Sequence, residues 1–325
     1  MRAVRCVEYG GPDLLVIEDL PAPEPDAGEV VVDVNLAAIN FPDVLLLTND
    51  YQIKVPVPFI PGSELAGVVS AVGDGVTDRK VGDRVFWSGI VGAFAEQVKG
   101  PAASFTPIPD GVSDQTAASF GVVYFTAYHS LRSVAEVQKG EWVCVLGAAG
   151  GVGLASVEIA QVLGGRVVAC ASTDEKLAIC RERGAEATIN YDSEDLKTRL
   201  REVTDGGADV VIDPVGGPYS EQALRSMRWR GRFVTVGFAS GEIPRIPLNL
   251  VLLKGMSVIG FEMGSFFMKA PELTQRDRGE MMQLLADGVI KPYSSSVHPL
   301  ERAADAFREL AERRATGKVL IDPRA

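Results

Sequence analysis

A cluster of glycines near the middle of the chain is the strongest chemical signal in the sequence. Four of them fall between residues 147 and 153 of VLGAAGGVGLASVEIAQ (145–161), after an apolar run and before a helical one. Glycine lets a backbone approach a pyrophosphate closely, and a helix N-terminus offers unpaired N–H groups and a partial positive charge. The spacing Gly147-x-x-Gly150-x-x-Gly153 is not the plain G-x-G-x-x-G, so a glycine turn that only packs strand against helix is the alternative. We predict a dinucleotide-binding loop.

The tip of the following strand indicates which dinucleotide would bind. NAD sites usually place an Asp or Glu about 20 residues after the glycine loop, where it binds the ribose 2′-hydroxyl. Here RVVACAS (166–172) ends in Ala171 and Ser172, followed by Thr173 and, at the start of the next helix, Lys176. Two hydroxyls and an ammonium suit a 2′-phosphate, although a Ser/Thr helix cap beside a solvated lysine would look the same. The sequence therefore favours NADPH.

Strands and helices alternate around the glycine loop. Residues 1 to about 120 contain short β-rich runs broken by Gly and Pro, which is typical of a small β-barrel or partly open sheet. A helical stretch follows within 113–137, with Ser113 or Asp114 as its N-cap. Apolar strands and helices then alternate as far as MSVIGF (256–261), which predicts a parallel sheet covered on both faces.

Composition limits the possible partners. The 325 residues are 46% apolar and carry a formal net charge of −11, which disfavours nucleic acid and anionic lipid as main partners. The four cysteines have no metal-binding or CxxC spacing, which fits reduced thiols in a reducing compartment. The N-terminus has no apolar leader, and no apolar run approaches the ~20 residues of a membrane span. We expect a cytoplasmic protein.

The chain closely resembles the zinc-independent quinone oxidoreductases of the medium-chain dehydrogenase/reductase superfamily, the group that includes ζ-crystallin. The segments that carry the resemblance span the whole chain: AAINFPD (37–43), PFIPGSELAGVV (58–69), GAFAEQV (92–98), TAYHSL (126–131), GAAGGVG (147–153), INYDSEDL (189–196), VTVGFASG (234–241) and GKVLI (317–321).

The resemblance implies an α/β protein of two domains. A GroES-like β-barrel catalytic domain would comprise residues 1–120 and 263–325, and a Rossmann doubly wound parallel-sheet domain residues 121–262, with the active site in the cleft. It also implies a homodimer, often paired through the edge strand of the Rossmann sheet, here MSVIGFEMG (256–264).

The residues that bind zinc in related alcohol dehydrogenases are replaced. A cysteine and the histidine of a His-Glu pair in those enzymes correspond here to Asn40 and Ser63, and residues 87–101 lack the cysteines of a structural zinc lobe. Zinc needs a tetrahedral set of N, S or O donors. The two histidines, His129 and His298, are interpreted as packing or capping residues. We predict that the protein binds no metal.

The resemblance also suggests catalytic candidates. Asn40, Tyr51 and Thr126 match residues near the nicotinamide and the acceptor, with Asn40 and Thr126 also touching the cofactor. Neutral donors alone would suit quinones and α,β-unsaturated carbonyls, in which charge delocalises after hydride addition. Asn40 could instead cap a turn, and Tyr51 could be a packing residue. Asp43 is expected to hold the Asn40 loop rather than to act in catalysis. Leu45 replaces a tyrosine of several relatives, which makes the predicted pocket more apolar and enoyl thioesters plausible.

The remaining cofactor residues are carried over by motif. Those near the nicotinamide half could also be strand ends shaped only for packing. The full set of carried-over cofactor residues is Ala149, Gly150, Gly151 and Val152 at the pyrophosphate; Ser172, Lys176 and Tyr191 at the adenosine 2′-phosphate; Gly216 after a later strand; and Gly237, Phe238, Gly260 and Phe261 at the nicotinamide half.

We therefore expect an NADPH-dependent, zinc-free reductase of quinones or activated alkenes. An enoyl thioester (enoyl-CoA) reductase on the same fold is the nearest alternative. A non-catalytic NADPH-binding protein with a structural role is the alternative of a different class. The choice of acceptor depends on the shape of the pocket, which we expect to be set by loops such as LLLTNDYQIKVP (45–56) and MGSFFMKAPEL (263–273).

Overall fold

The computed structural model describes all 325 residues, which divide into two units. The first unit comprises Met1–Val122 and Lys291–Ala325, and the second comprises Val123–Ile290. The chain thus returns to the first unit at Lys291, whereas the sequence placed this return at residue 263. The helix Pro271–Ala286 belongs to the second unit, where its Met281 and Leu285 are buried and its Asp277 accepts a 2.7 Å hydrogen bond from His129.

The strands are numbered in chain order. They are β1 Arg2–Cys6, β2 Leu15–Asp19, β3 Glu29–Ile39, β4 Glu64–Val72, β5 Arg84–Ser88, β6 Gln97–Pro101, β7 Thr106–Pro107, β8 Trp142–Leu146, β9 Arg166–Ala171, β10 Ala187–Asn190, β11 Ala208–Asp213, β12 Met227–Thr235, β13 Ser257–Gly260, β14 Ser294–Pro299 and β15 Lys318–Asp322.

The helices are numbered in the same way, and a π-helical segment, His129–Val134, follows the third of them. They are α1 Phe41–Leu47, α2 Asp114–Ala118, α3 Gly121–Tyr128, α4 Gly151–Val162, α5 Asp174–Glu182, α6 Leu196–Val203, α7 Pro218–Arg225, α8 Leu248–Lys254, α9 Met263–Lys269, α10 Pro271–Ala286 and α11 Ala303–Ala311.

The first unit is built on a seven-stranded sheet that is mostly antiparallel. Its order is β14-β15-β3-β4-β5-β7, with β6 also paired to β3, and only β14 and β15 run parallel. The C-terminal strand β15 lies directly beside β3, with Val319 opposite Ile39. The core includes Phe94 and Phe307, whose rings meet edge to face with centroids 5.6 Å apart. This pairing brings the end of the chain next to residues near position 40.

The second unit contains the predicted doubly wound parallel sheet. Its six strands are ordered β10-β9-β8-β11-β12-β13, and every pairing between them is parallel. All five residues of β8 are buried, as expected for a central strand covered on both faces. Two of the four free cysteines, Cys144 and Cys170, lie fully buried on neighbouring strands of this core. No helix is long and apolar enough to span a bilayer.

Two local expectations can be compared with the structure. Ser113, rather than Asp114, is the N-cap of α2, and its Oγ accepts a 3.1 Å hydrogen bond from Thr116 N. The segment MGSFFMKAPEL (263–273), expected to be a loop, is instead helical and forms α9 and the start of α10. Glu262 explains where α9 begins, because its carboxylate accepts hydrogen bonds from two backbone N–H groups of the first turn.

Gly153, in the first turn of α4, is required by packing. A Cβ added there would lie 2.2 Å from the carbonyl oxygen of Gly147 and 2.7 Å from Cα of Ala148. The glycine loop therefore folds back against its own helix, and only a residue without a side chain allows that contact.

We predict that Gly153→Ala destabilises the protein by about 1–3 kcal/mol, because backbone atoms must shift to admit the methyl group. Gly279→Ala is the matched control: Gly279 lies within α10, and nothing lies within 4 Å of an added Cβ. The control should be neutral or gain up to about 1 kcal/mol through helix propensity. Urea unfolding of the two variants measures this difference, and equal stability would contradict the account of the loop.

Candidate functional site

The carboxyl ends of six parallel strands gather the predicted cofactor residues at one edge of the sheet. This edge is where doubly wound sheets bind their ligands. The residues lie in the turns after all six strands: Ala149, Gly150, Gly151 and Val152 after β8; Ser172 and Lys176 after β9; Tyr191 after β10; Gly216 after β11; Gly237 and Phe238 after β12; and Gly260 and Phe261 at the end of β13.

The glycine loop leaves backbone donors at this edge. Gly150 is the N-cap of the 12-residue helix α4, whose first intrahelical bond runs from Leu154 N to Gly150 O at 2.8 Å. The N–H groups of Gly151, Val152 and Gly153 precede that bond and have no intrahelical acceptor. A Cβ at Gly150 would have only one close neighbour, Gly147 O at 3.4 Å, so the outer side of the turn is open. The N–H groups without intrahelical acceptors and the open outer side of the turn fit a bound pyrophosphate.

The predicted 2′-phosphate residues also lie side by side. Ala171 and Asn190, the last residues of β9 and β10, face each other, so Ser172 and Tyr191 follow directly after the two paired strand ends. Tyr191 N donates to Ala171 O at 3.1 Å, which fixes the turn. Thr173 caps α5 by accepting a 3.3 Å bond from Lys176 N. The capping interpretation therefore holds for Thr173.

A buried carboxylate shapes the turn after β11. Asp213 Oδ1 accepts 2.8 Å hydrogen bonds from the N–H groups of Val215 and Gly216, and Oδ2 accepts one from Ser220 Oγ. Gly216 has φ +72°, and an added Cβ would lie 2.8 Å from Glu242 O. Burial raises the pKa of Asp213, and these donors partly offset that effect. The turn and the start of α7 are therefore held as one rigid piece.

Two glycines at the predicted nicotinamide half are not explained by packing within the chain. Nothing lies within 4 Å of a Cβ added to Gly260, and a Cβ added to Gly237 would have only Pro214 O nearby, at 3.5 Å. Phe261 is buried, whereas Phe238 is partly exposed. Because a strand end that needed glycine only for packing would show close neighbours, the open space favours an approaching ligand.

Thr126 and His129 lie one turn apart in the second unit. Thr126 is buried, and its Oγ1 lies 3.7 Å from Sδ of Met263. His129 Nδ1 pairs with Asp277 at 2.7 Å, and burial lowers the pKa of this histidine. In the first unit, His298 Nε2 pairs with Glu309 at 2.8 Å. Both histidines therefore have carboxylate partners, which agrees with their interpretation as packing residues.

In the first unit, Asn40 belongs to a buried polar network. Its backbone N–H donates to Asp43 Oδ2 at 2.7 Å, and its amide Nδ2 donates to Ser63 Oγ at 3.1 Å and to Glu64 Oε2 at 3.2 Å. Ser63 Oγ in turn donates to Asp43 Oδ2 at 3.1 Å. The Asn40 amide therefore has acceptors for both of its hydrogens within the protein.

Lys318 is the cation of this network. Its ammonium donates to Ile39 O at 2.9 Å and to Asn40 Oδ1, and lies 3.1 Å from Glu64 Oε2. The other Glu64 oxygen accepts a 3.0 Å bond from Val122 N. Lys318 is 3% exposed and Glu64 is completely buried, so this ion pair is shielded from water.

Asp43 holds the start of α1, as expected from the sequence. Burial raises the pKa of its carboxyl to about 7, although the bonds from Asn40 and Ser63 and the charge of Lys318 act in the opposite direction. Tyr51 lies half-buried against the apolar core of the first unit. Its catalytic role stays a prediction.

Comparison with known proteins identifies the family. Residues 26–110 match the alcohol dehydrogenase GroES-like domain and residues 151–287 match the zinc-binding dehydrogenase family. The chain is 40% identical over 325 residues to a quinone oxidoreductase-like protein 2 homolog of Nematostella vectensis, covering 99% of this chain and 88% of that protein. The chain belongs to the quinone oxidoreductase family of the medium-chain dehydrogenase/reductase superfamily. The family resemblance and the predicted fold class, GroES-like plus Rossmann, are thereby confirmed.

Two further relatives agree with this family. Rat quinone oxidoreductase is 32% identical over 313 residues, covering 95% of this chain and 94% of that protein. The crystal structure of Escherichia coli quinone oxidoreductase complexed with NADPH superposes with a TM-score of 0.90 at 30% identity, covering 99% of this chain and all of the other.

The name of the matched zinc-binding dehydrogenase family raises the question of a metal site in this chain. No group of three or more His, Cys, Asp and Glu side chains is arranged to hold a metal ion. At the positions that match zinc ligands, Asn40 and Ser63 bond to each other, and the adjacent Glu64 pairs with Lys318. This donor set does not fit a tetrahedral zinc site.

The sequence analysis assigns no role to Glu64 or Lys318, although both lie in segments that carry the family resemblance, PFIPGSELAGVV and GKVLI. A signal was present, because Lys318 is a lone charge at the start of the apolar run VLI (319–321). A buried charge requires a partner, but the sequence does not say which residue that is.

We predict that Lys318→Met destabilises the protein by about 3–5 kcal/mol, because it leaves the Glu64 carboxylate buried without its cation. The double variant Lys318→Met/Glu64→Gln removes both charges and should recover most of that loss. Chemical unfolding measures both. A single variant as stable as the wild type would contradict the buried ion pair.

Proposed function

We propose that this protein is an NADPH-dependent oxidoreductase that reduces quinones or other α,β-unsaturated carbonyls without a metal. The observation that carries the proposal is the Asn40–Ser63–Glu64–Lys318 network, in which side chains at metal-ligand positions are tied to one another and to an ammonium. If uncharged donors alone stabilise the acceptor oxygen, acceptors that delocalise negative charge are favoured.

The choice of NADPH is supported by the turns after β9 and β10. Ser172, Lys176 and Tyr191 provide two hydroxyls and an ammonium at the place where an NAD site would carry a carboxylate. The related E. coli enzyme was solved with NADPH. When bound, NADPH supplies the hydride.

The residues of the chain position the reactants and stabilise charge on the acceptor oxygen. Asn40 and Tyr51 are the proposed donors to that oxygen, and Thr126 is proposed to border the nicotinamide. The bond from Asn40 Nδ2 to Glu64, at 3.2 Å, is long for a charge-assisted hydrogen bond. This is the amide bond that a bond to the acceptor oxygen would replace, while Lys318 continues to hold Asn40 Oδ1 and to pair with Glu64.

We also propose a homodimer located in the cytoplasm. The outer edge of β13 has no partner strand within the chain, and neighbouring α8 exposes Leu248, Leu252 and Leu253 by 73–80%. An apolar patch beside an open strand edge is typical of a protein–protein interface. The free, buried cysteines fit a reducing compartment.

The activity can be tested by following NADPH oxidation with 1,2-naphthoquinone, 9,10-phenanthrenequinone and crotonyl-CoA. We expect turnover with a quinone, a strong preference for NADPH over NADH, and no loss of activity after EDTA treatment. A higher kcat/KM for crotonyl-CoA than for either quinone would contradict the proposal and indicate an enoyl thioester reductase. Tight NADPH binding with no turnover of any acceptor would indicate a non-catalytic protein.

Asn40→Ala is the matched variant for this assay. It removes the amide donor while the cofactor loop at Gly150–Gly153 is left intact. We expect kcat to fall about 100- to 1,000-fold, as when one oxyanion donor is removed, with a smaller change in the affinity for NADPH. An unchanged kcat would contradict the role of Asn40.

The dimer can be tested by analytical ultracentrifugation. Leu252→Asp places a charge in the apolar patch and should shift the protein toward monomer. Val81→Asp is the control, because Val81 is 63% exposed but lies in the first unit, away from β13 in the chain. A monomeric wild type would contradict the proposal.

A further inference from the structure

We propose that Tyr219 sets the preference for an adenosine 2′-phosphate by holding Tyr191 in place, an inference that rests on the proposed use of NADPH. The ring of Tyr219 lies against the ring of Tyr191, with centroids 4.1 Å apart and planes 31° from each other. The Tyr219 hydroxyl donates to Asp192 Oδ1 at 2.9 Å. One side chain thus contacts two successive residues of the turn after β10.

Tyr219 is itself mounted on a rigid element. It is the second residue of α7, and the next residue, Ser220, donates from its Oγ to the buried carboxylate of Asp213. The same carboxylate accepts the backbone N–H groups of Val215 and Gly216. The position of the Tyr219 ring therefore follows from the end of β11, two strands away from β9 in the sheet.

Tyr191 needs this support because its own strand ends beside it. β10 is only four residues long and lies at the edge of the sheet. On one side, Tyr191 is fixed to β9 by its N–H bond to Ala171 O. The Tyr219 ring packs against the Tyr191 ring, and the β9–β10 register sets the backbone of Tyr191 beside that of Ser172. Tyr219 is therefore a positioning residue that has no need to touch the cofactor.

The test separates the adenosine half of the cofactor from the rest. Affinities for 2′,5′-ADP and 5′-AMP are measured by calorimetry on the full-length protein. Tyr219→Ala should weaken 2′,5′-ADP binding by about five- to tenfold, the order expected for a lost aromatic pair, and change 5′-AMP binding less than about twofold. Tyr219→Phe keeps the stack and should bind both probes like the wild type.

Each result has a defined meaning. Equal losses for both probes, or no loss for either, would overturn the role of Tyr219. If Tyr219→Phe bound 2′,5′-ADP as weakly as Tyr219→Ala, the hydrogen bond to Asp192 rather than the ring contact would hold Tyr191. That result would overturn the proposal as stated. Lys176→Ala provides the benchmark for a direct 2′-phosphate contact. A wild type that binds 2′,5′-ADP no tighter than 5′-AMP would instead refute the proposed NADPH preference.

Discussion

The common direction of six parallel strands is the constraint on which the cofactor half of the protein depends. Parallel hydrogen bonding aligns their carboxyl ends, so turns that are far apart in sequence meet at one edge of the sheet. Each turn then needs only a local adjustment. Gly153 allows the helix to approach its own loop, Asp213 fixes the turn after β11, and Thr173 caps α5. The site is therefore a consequence of the sheet rather than of any single residue.

The first unit uses a different device, a buried ion pair that joins the two ends of the chain. Lys318 comes from the last strand, and Asn40 and Glu64 come from the N-terminal segment. Charges buried in this way cost desolvation energy, and a hydrophobic replacement could be equally stable. The buried Lys318 acts through geometry, because its ammonium fixes the amide oxygen of Asn40 and thereby the direction of both amide hydrogens.

The sequence predicted local features better than long-range ones. The glycine loop and the turn after β9 follow from patterns within a few residues and from strand alternation, whereas Tyr191 and the role of Asp43 were inferred from motifs of the family resemblance. The contact of Lys318 with Asn40 joins residues 278 positions apart, and no periodicity encodes it. The His129–Asp277 pair, which ties the helix Pro271–Ala286 to the second unit, likewise joins residues 148 positions apart. The helix α9 was missed because its glycine and its flanking Pro271 resemble a loop, while Glu262 supplies the cap that starts it.

The central claim is that hydride passes directly from NADPH to an electron-poor acceptor in a protein that holds no metal. The most direct measurement is a single-turnover experiment on chelator-treated, metal-analysed protein, with 1,2-naphthoquinone and NADPH deuterated at one or the other C4 position. Single turnover removes product release from the observed rate. The account predicts oxidation without metal, slowed by deuterium at only one of the two positions. Oxidation that returns only when a divalent ion is added, or that neither deuterium slows, would contradict it.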